Sequence, residues 1–112
     1  MQLLIDNGAE IDLQTKDGTC ALHNAVSKGR GRAIVLLVGA GANPNLQEAR
    51  GLTSLHFAAA HEGERPDIVK YLLEHGADPF IVDRQGNPAL FYAVENAYAE
   101  VAQLLLHARL GG

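Results

Sequence analysis

The chain has 112 residues, of which 47% are hydrophobic and 20% are charged, a composition typical of one soluble globular domain. Its net charge of -4 argues against a nucleic-acid partner, because proteins that bind the phosphate backbone need clustered basic residues. No apolar run approaches the roughly 20 residues that cross a bilayer, so we expect no membrane segment and no membrane partner.

The start of the chain and its cysteine content bear on location. The segment 1–5 is apolar, but Asp6 follows it directly, without a basic leader or a cleavage site, so the sequence does not predict a signal peptide. The single cysteine, Cys20, cannot form an internal disulfide, which is compatible with a reducing compartment. These features favour an intracellular protein, cytoplasmic or nuclear.

The sequence repeats itself at intervals of 33 and 35 residues. Two independent landmarks keep this period. One is a Gly-Ala pair, at Gly8-Ala9, Gly41-Ala42 and Gly76-Ala77. The other is a leucine followed by histidine or phenylalanine, at Leu22-His23, Leu55-His56 and Leu90-Phe91. A fixed period of this length is typical of one supersecondary unit copied along an array. We expect a half repeat over 1–16 and copies over 17–49, 50–84 and 85–112.

Each copy is predicted to hold two helices. In the first copy, Ala21 to Val26 has helical spacing and ends at Gly29, and Ile34 to Val38 ends before Gly41. The second copy has apolar segments at 55–59 and 68–73, and the third at 90–94 and 101–106. The two additional residues of the second copy fall between its helices, where we expect a surface loop followed by Pro66 in the first helical turn.

Two further features concern how the copies pack and where they turn. Small alanines on the first helices, such as Ala25, Ala58 and Ala93, allow neighbouring copies to approach closely. The segments 45–51 and 80–86 are polar, contain glycine and lack helical periodicity, so we expect projecting turns there.

These residues resemble ankyrin repeats, whose signatures are Thr-Pro-Leu-His near the first helix and Gly-Ala-Asp after the second. The resemblance covers nearly the whole chain, through Thr53-Ser54-Leu55-His56, Gly76-Ala77-Asp78 and their counterparts. It implies an all-α solenoid of helix-turn-helix units with projecting β-hairpin-like turns. It also implies buried signature histidines, His23 and His56, that tie turns together by hydrogen bonds.

Three residues after the second copy's helices depart from the signatures. Phe91 replaces the histidine and loses its hydrogen bonds, and Phe80 replaces an asparagine that ties the turn. Arg109 stands where the family ends its helix with glycine, so we expect the last copy to be incomplete or to fray. The ends, with Leu3 to Ile5 and Leu104 to Leu106, lack a polar cap. Either the chain is a fragment of a longer array, or another molecule covers its ends, including by self-association through the apolar terminal helices.

The sequence argues against an enzyme, a metal site and a cofactor. His23 and His56 are a repeat apart, too far to share one ion, while His75 and His107 suit helix C-termini as caps. His61 lies beside two glutamates in a predicted solvated loop, and Cys20 is best explained as a small buried side chain. No nucleophile has a base nearby in sequence, and no phosphate-binding loop is present.

The resemblance implies a non-catalytic module that binds a protein partner, whose identity the sequence does not give, on the concave face. Candidate residues are those outside the signatures, on the turns and the exposed side of the first helices: Lys16, Asp17, Lys28, Arg50, Leu52, Phe57, His61, Arg84, Gln85, Asn87, Tyr92 and Asn96. Aromatic residues and arginine carry interface energy most often, which favours Phe57, Tyr92, Arg50 and Arg84. The alternatives are that both aromatics pack between repeats, that both arginines are solvated, and that the chain is a structural or self-assembling segment of a longer array.

Overall fold

The computed structural model describes the backbone of residues 11–111 and the side chains through residue 108. This part contains six helices and no strand: α1 (Ala21–Ser27), α2 (Gly31–Gly39), α3 (Ser54–Ala60), α4 (Pro66–Glu74), α5 (Ala89–Glu95) and α6 (Ala99–Gly111). They form three helix pairs. The first helices α1, α3 and α5 contact one another in chain order, each contacts its own second helix, and α4 contacts α6. The predicted all-α repeat architecture is confirmed.

The first two copies begin their first helix in the same way. The backbone N–H of Thr53 donates to Nδ1 of His56 at 2.9 Å, and that of Cys20 donates to Nδ1 of His23 at 3.1 Å. Each ring uses its other nitrogen to donate to a backbone carbonyl at 2.8 Å: His23 to Leu46 O of its own copy, and His56 to Asn87 O of the next copy. Both histidines therefore have the structural role that the resemblance implied, because each ring ties the start of a first helix to a more distant backbone carbonyl.

Small and fully buried side chains allow the copies to pack closely. Ala58, Ala59 and Ala93 are completely buried where α3 meets its neighbours, and Ala25 is buried on α1. Interiors packed to crystal-like density leave no room for larger residues at such contacts. On the second helices, Leu72 of α4 and Leu105 of α6 are similarly buried.

The projecting turns, hereafter the tips, comprise residues 15–19, 48–52 and 83–87. Two backbone hydrogen bonds close each tip. The first is Thr15 N to Thr19 O, Glu48 N to Leu52 O and Asp83 N to Asn87 O, at 2.9, 3.1 and 3.0 Å. The second is Gly18 N to Thr15 O, Gly51 N to Glu48 O and Gly86 N to Asp83 O, at 2.8, 2.8 and 2.9 Å. Successive tips are joined by Ala49 N donating to Asp17 O and Arg84 N donating to Arg50 O, at 2.8 and 2.9 Å. The tips are thus hydrogen-bonded turns that stack on one another, without strands in the described residues.

Glycine is required where one tip meets the next. Gly51 has a φ of +83°, and a Cβ there would lie 2.8 Å from the backbone nitrogen of Arg84. Gly18 is similar, with a φ of +82° and the backbone of Ala49 at 2.9 Å. Only glycine combines a positive φ with this close approach at low energy.

The two additional residues of the second copy lie in the segment 61–65, which we call the insertion loop. This loop has hydrogen bonds to the first and third copies. The Tyr98 hydroxyl accepts from Gly63 N at 2.9 Å and donates to His61 O at 2.8 Å. Glu64 Oε2 accepts from Val101 N at 3.0 Å, and Arg65 Nη1 donates to Gly29 O at 3.2 Å. The loop lies at the surface as predicted, but it also bridges the copies before and after it. Pro66 begins α4, as expected.

Two predictions concern the ends. The expectation that the last copy frays at Arg109 is wrong for its backbone, because α6 continues through this position to Gly111. Most of the predicted half repeat over 1–16, including the apolar segment Leu3 to Ile5, lies outside the described residues.

Candidate protein-binding groove

The tips and the adjacent sides of α1, α3 and α5 define a surface that we call the groove. Between its second and third tips lies a pocket of about 440 Å³. Six predicted binding residues line it, namely Arg50, Leu52, Phe57, Arg84, Gln85 and Tyr92, together with His56, Ala60 and Asp83. We expected no deep apolar pocket between the stacked helices; this pocket instead opens on the groove, because tip residues form half of its wall.

Phe57 and Tyr92 occupy the same repeat position, and both pack between copies. The Phe57 ring lies 5.3 Å from the His23 ring, and the Tyr92 ring lies 5.8 Å from the His56 ring, between centroids. Among the described residues, no ring contact joins Phe57 to Tyr92. Both side chains remain half-buried and line the pocket, so each packs on the preceding copy and also faces the groove.

Two carboxylates at the first positions of the second and third tips are buried and hydrogen-bonded. Glu48, which is 7% exposed, accepts from the backbone of Arg50 and of Leu52 and from Arg50 Nε at 3.0 Å. Asp83, which is 6% exposed, accepts from Gln85 N and Asn87 N at 2.9 Å and from the Tyr92 hydroxyl. Each carboxylate therefore accepts three hydrogen bonds from other groups of the protein.

Hydrogen bonding controls the ionisation of Asp83 and Tyr92. Burial raises the pKa of Asp83, but hydrogen bonds from the Tyr92 hydroxyl and from the Asn87 and Gln85 amides outweigh it, so the pKa lies below its ordinary value. The hydrogen bond to Asp83, together with burial, raises the pKa of Tyr92. Asp83 is therefore ionised at neutral pH, and Tyr92 keeps its proton.

The two arginines at the pocket rim have different surroundings. Arg50 pairs with Glu48 through Nε, although its side chain remains 72% exposed. Arg84 is exposed, and its side chain has no ion-pair partner among residues 11–108. The pocket therefore has satisfied acceptors inside and free donors at its rim.

The other predicted binding residues lie apart from this pocket. Asp17 lies at a second, adjoining depression of about 390 Å³, which Arg50 and Phe57 also line, and Lys28 lies at a third between α1 and α2. Lys16 is exposed on the first tip. Three have structural bonds: Asn96 donates to Ala59 O, Asn87 O accepts from His56, and His61 belongs to the insertion loop.

Sequence reasoning missed Asp83 as a residue of the pocket and Glu48 as a residue of the adjoining depression, since acidic residues in turns are ordinarily solvated. The position of Asp83 two residues before Gln85 is typical of an aspartate that bonds the backbone two residues on, which was the available signal for Asp83. Within the described part of the chain, no three His, Cys, Asp or Glu side chains lie close enough together to hold a metal ion. None of its helices has the length and apolarity needed to span a membrane.

Comparisons with known proteins agree with this geometry. A family model described as Ankyrin repeats (3 copies) matches residues 1–83 and 29–111. The chain is 34% identical over 100 residues to the E3 ubiquitin-protein ligase KEG of Arabidopsis thaliana, covering 88% of this chain and 6% of that protein. It is 33% identical over 103 residues to the human transient receptor potential cation channel subfamily A member 1, covering 90% and 9%. It is 33% identical over 93 residues to mouse SH3 and multiple ankyrin repeat domains protein 1, covering 83% and 4%. The chain spans less than a tenth of the length of each of these three relatives.

Proposed function

Because the chain belongs to the ankyrin repeat family, we propose that it is a protein-interaction module without catalytic activity, which binds a protein partner along the groove. The observation that carries this proposal is the pocket, where Leu52, Phe57 and Tyr92 form apolar walls beside Arg50 and Arg84. Aromatic and arginine side chains at the centre of a concave surface are the residues that dominate protein interfaces. The partner is a protein and not a nucleic acid, in keeping with the net charge of -4.

Catalysis has little support in the described residues. Burial raises the pKa of the Cys20 thiol, but hydrogen bonds and charge from His23 outweigh burial, so the pKa lies below its ordinary value. The thiol is nevertheless only 3% exposed, and His23 also bonds the Cys20 amide and Leu46 O. A nucleophile needs access to its substrate and a base that is free to take a proton. The ligase activity in the name of the Arabidopsis relative belongs to a protein of which this chain matches 6%.

We retain the intracellular location and the repeat boundaries as parts of this proposal. A buried, unpaired Cys20 is compatible with the reducing cytoplasm or nucleus. The division into a half repeat over 1–16 and copies over 17–49, 50–84 and 85–112 follows the spacing of the tips and helices.

The test compares what two folded variants capture from a cell lysate, by quantitative mass spectrometry. The groove variant carries Leu52→Ser and Arg84→Glu, which leave the Tyr92–Asp83 hydrogen bond in place. The matched control carries Val35→Ser and Arg32→Glu on the outer side of α2, where both side chains are exposed. Circular dichroism establishes that both variants fold like the parent chain.

We expect at least one protein to bind the parent chain and the α2 control and to be lost from the groove variant. If every protein captured by the parent chain is also captured by the groove variant, the groove is not the binding surface. Loss from the α2 control alone would move the site to the outer helices.

The second candidate function is a structural or self-assembling segment of a longer array. One observation favours it: Phe91 and Val94 of α5 and Leu106 of α6 are 41%, 62% and 43% exposed. Apolar groups at the end of a stack are suited to contact with another copy. Sedimentation of the parent chain and of Leu106→Lys tests this function: a parent dimer that the substitution converts to monomer supports it, and a monomeric parent chain excludes self-assembly.

A further inference from the structure

We propose that the pocket between the second and third tips binds a peptide segment in which an apolar side chain is flanked by aspartate or glutamate. This inference rests on the proposed function, since it names the kind of partner segment that the groove accepts. Three features carry it: the apolar walls of the pocket, the acceptors satisfied below it, and the donors at its rim.

The apolar walls define where the anchor side chain fits. Leu52, Phe57 and Tyr92 are half-buried, so each exposes part of its apolar surface to the pocket, and Ala60 completes the wall. The volume of about 440 Å³ lies within the range of roughly 300–1,000 Å³ of established ligand sites. One leucine, methionine or phenylalanine side chain would remove water from these surfaces, which is favourable in proportion to the apolar area covered.

The acceptors near the pocket are already satisfied from inside. Glu48 and Asp83 are buried and bond to tip amides, to Arg50 and to the Tyr92 hydroxyl. A cationic ligand would need an exposed carboxylate to pair with, and these two carboxylates are buried and already accept three hydrogen bonds each. The pocket therefore disfavours a lysine-rich or arginine-rich peptide.

The donors at the rim are free. Arg84 is exposed, and its side chain has no ion-pair partner among residues 11–108. Arg50 uses Nε toward Glu48, and its terminal nitrogens bond nothing else in the described chain. Guanidinium groups bind carboxylates through two parallel hydrogen bonds, so acidic residues beside the anchor complete this arrangement.

The rim contrasts with the charge of the whole chain. Lys16, Arg50 and Arg84 of the tips are matched in number by Asp17, Glu48 and Asp83, but Glu48 and Asp83 are buried. The exposed charges of the second and third tips are therefore the two arginines, while the chain has a net charge of -4. Complementary charge at an interface steers association and selects among partners. A nucleic acid would meet apolar walls and only a few cations, which is a poor match for a phosphate backbone.

The experiment selects a displayed library of random dodecapeptides in parallel on three proteins: the parent chain, Arg84→Gln and Arg32→Glu. The Arg84 backbone amide, which bonds Arg50 O at 2.9 Å, is retained in Arg84→Gln, so the tip keeps its contact. Arg32 is an exposed arginine on the outer helix α2, and acidic residues are favourable in a first helical turn, so Arg32→Glu keeps the fold. Enriched peptides are then synthesised and their dissociation constants measured.

We expect the parent chain and Arg32→Glu to enrich peptides with one apolar residue flanked by aspartate or glutamate. Binding of these peptides to Arg84→Gln should weaken about tenfold, the effect of losing one charge-assisted hydrogen-bond pair. Leu52→Ser should weaken the same peptides through loss of the apolar wall.

Three results would overturn the inference. Peptides that depend on Leu52 but show no acidic enrichment would leave the groove as the site and exclude the acidic partner. Peptides that bind every variant equally, or an empty selection, would also contradict it. The lysate comparison then decides separately whether the groove binds proteins at all.

Discussion

At the residue scale, the polar side chains of the interior hold the copies together. His56 accepts from Thr53 N and donates to Asn87 O, which connects the start of α3 to the third tip. Asp83, the first residue of that tip, accepts hydrogen bonds from the Gln85 and Asn87 amides and from the Tyr92 hydroxyl. Such buried groups stabilise a structure only while all of their hydrogen bonds are made.

The titration of His56 tests this view. Burial lowers the pKa of His56, although the hydrogen bond to Asn87 opposes the change. In the folded chain we therefore expect a pKa below the ordinary value of about 6.5, measured by NMR from the ring protons. Because the unfolded chain binds the proton first, the contribution of His56 to stability is complete above about pH 6.5 and decreases as the pH falls toward the folded pKa. A pKa at or above 6.5 would contradict a neutral, buried ring.

The tip glycines provide a second test, with a matched control in the same chain. Gly51 and Gly86 share a positive φ, of +83° and +84°, but only Gly51 has the next tip against it. Gly86→Ala should reduce the free energy of unfolding by about 1–2 kcal/mol, the strain of a left-handed alanine. Gly51→Ala should reduce it by about 1–3 kcal/mol more, because its methyl group displaces the third tip. Urea unfolding measures both, and equal losses would mean that the tips do not constrain each other.

Individual residues mark how far the sequence could predict the site. The repeat position of Phe57 and Tyr92 was predictable from the spacing, and so was their place on the first helices. Their contacts with His23 and His56 were not, because neighbours in a stack lie about 35 residues apart in sequence. The burial of Glu48 and Asp83 was not predictable either, although their partners are close in sequence. In the sequence each is an acidic turn residue, a type that is ordinarily solvated, and only the folded tip buries it.

At the element scale, the insertion loop has a larger structural role than its length suggests. Glu64 accepts from Val101 N near the start of α6, and so it acts as a helix cap supplied by another copy. The Tyr98 hydroxyl joins the same two copies, because it accepts from Gly63 N and donates to His61 O of the insertion loop. Together these bonds connect the second copy to the third on the side away from the tips.

We expect Glu64→Ala to reduce the free energy of unfolding by about 1 kcal/mol, as for loss of a helix cap. Glu62→Ala is the matched control, because Glu62 is exposed in the same loop and makes no hydrogen bond or ion pair within the described residues. This substitution should change the free energy of unfolding by less than about 0.5 kcal/mol. Thermal or urea unfolding of both variants measures the difference. Equal effects would show that the contact with Val101 is not stabilising.

The elements themselves were predictable where local signals were strong. Periodic apolar residues predicted the six helices, and Gly29 and Pro66 marked their ends and starts. The continuation of α6 through Arg109 was not predicted. The arginine in place of the family's glycine indicated an incomplete or frayed last copy instead. An arginine permits a helix to continue, and so the departure from the signature lengthened the helix.

At the scale of the whole molecule, apolar residues replace the polar side chains that join successive copies: Val82 in the second copy and Phe91 in the third. Gln14 donates to Gln47 O at 3.1 Å, and Gln47 donates to Val82 O at 3.0 Å, but the next residue in this series is Val82. His23 and His56 are likewise followed by Phe91, which is 41% exposed. The far side of the third copy is therefore more apolar than the corresponding sides of the first two.

A complete flanking repeat fused at either end should raise the melting temperature. It would cover apolar surface such as Phe91 and Val94 and add an interface between neighbouring copies, which supply much of the stability of repeat arrays. Calorimetry of the fusion, compared with a fusion of the same length and a scrambled sequence, measures the effect. An unchanged melting temperature would count against the chain being a segment of a longer array.

The most direct test of the groove as the protein-binding surface is NMR mapping on the isotopically labelled chain. A protein captured in the lysate comparison is added stepwise, and the amide shifts are followed. We predict that the changes concentrate in the tips 48–52 and 83–87 and on the adjoining sides of α3 and α5. Changes confined to the outer side of α2, around Val35 and Leu36, or to α6 would contradict the account and place binding elsewhere.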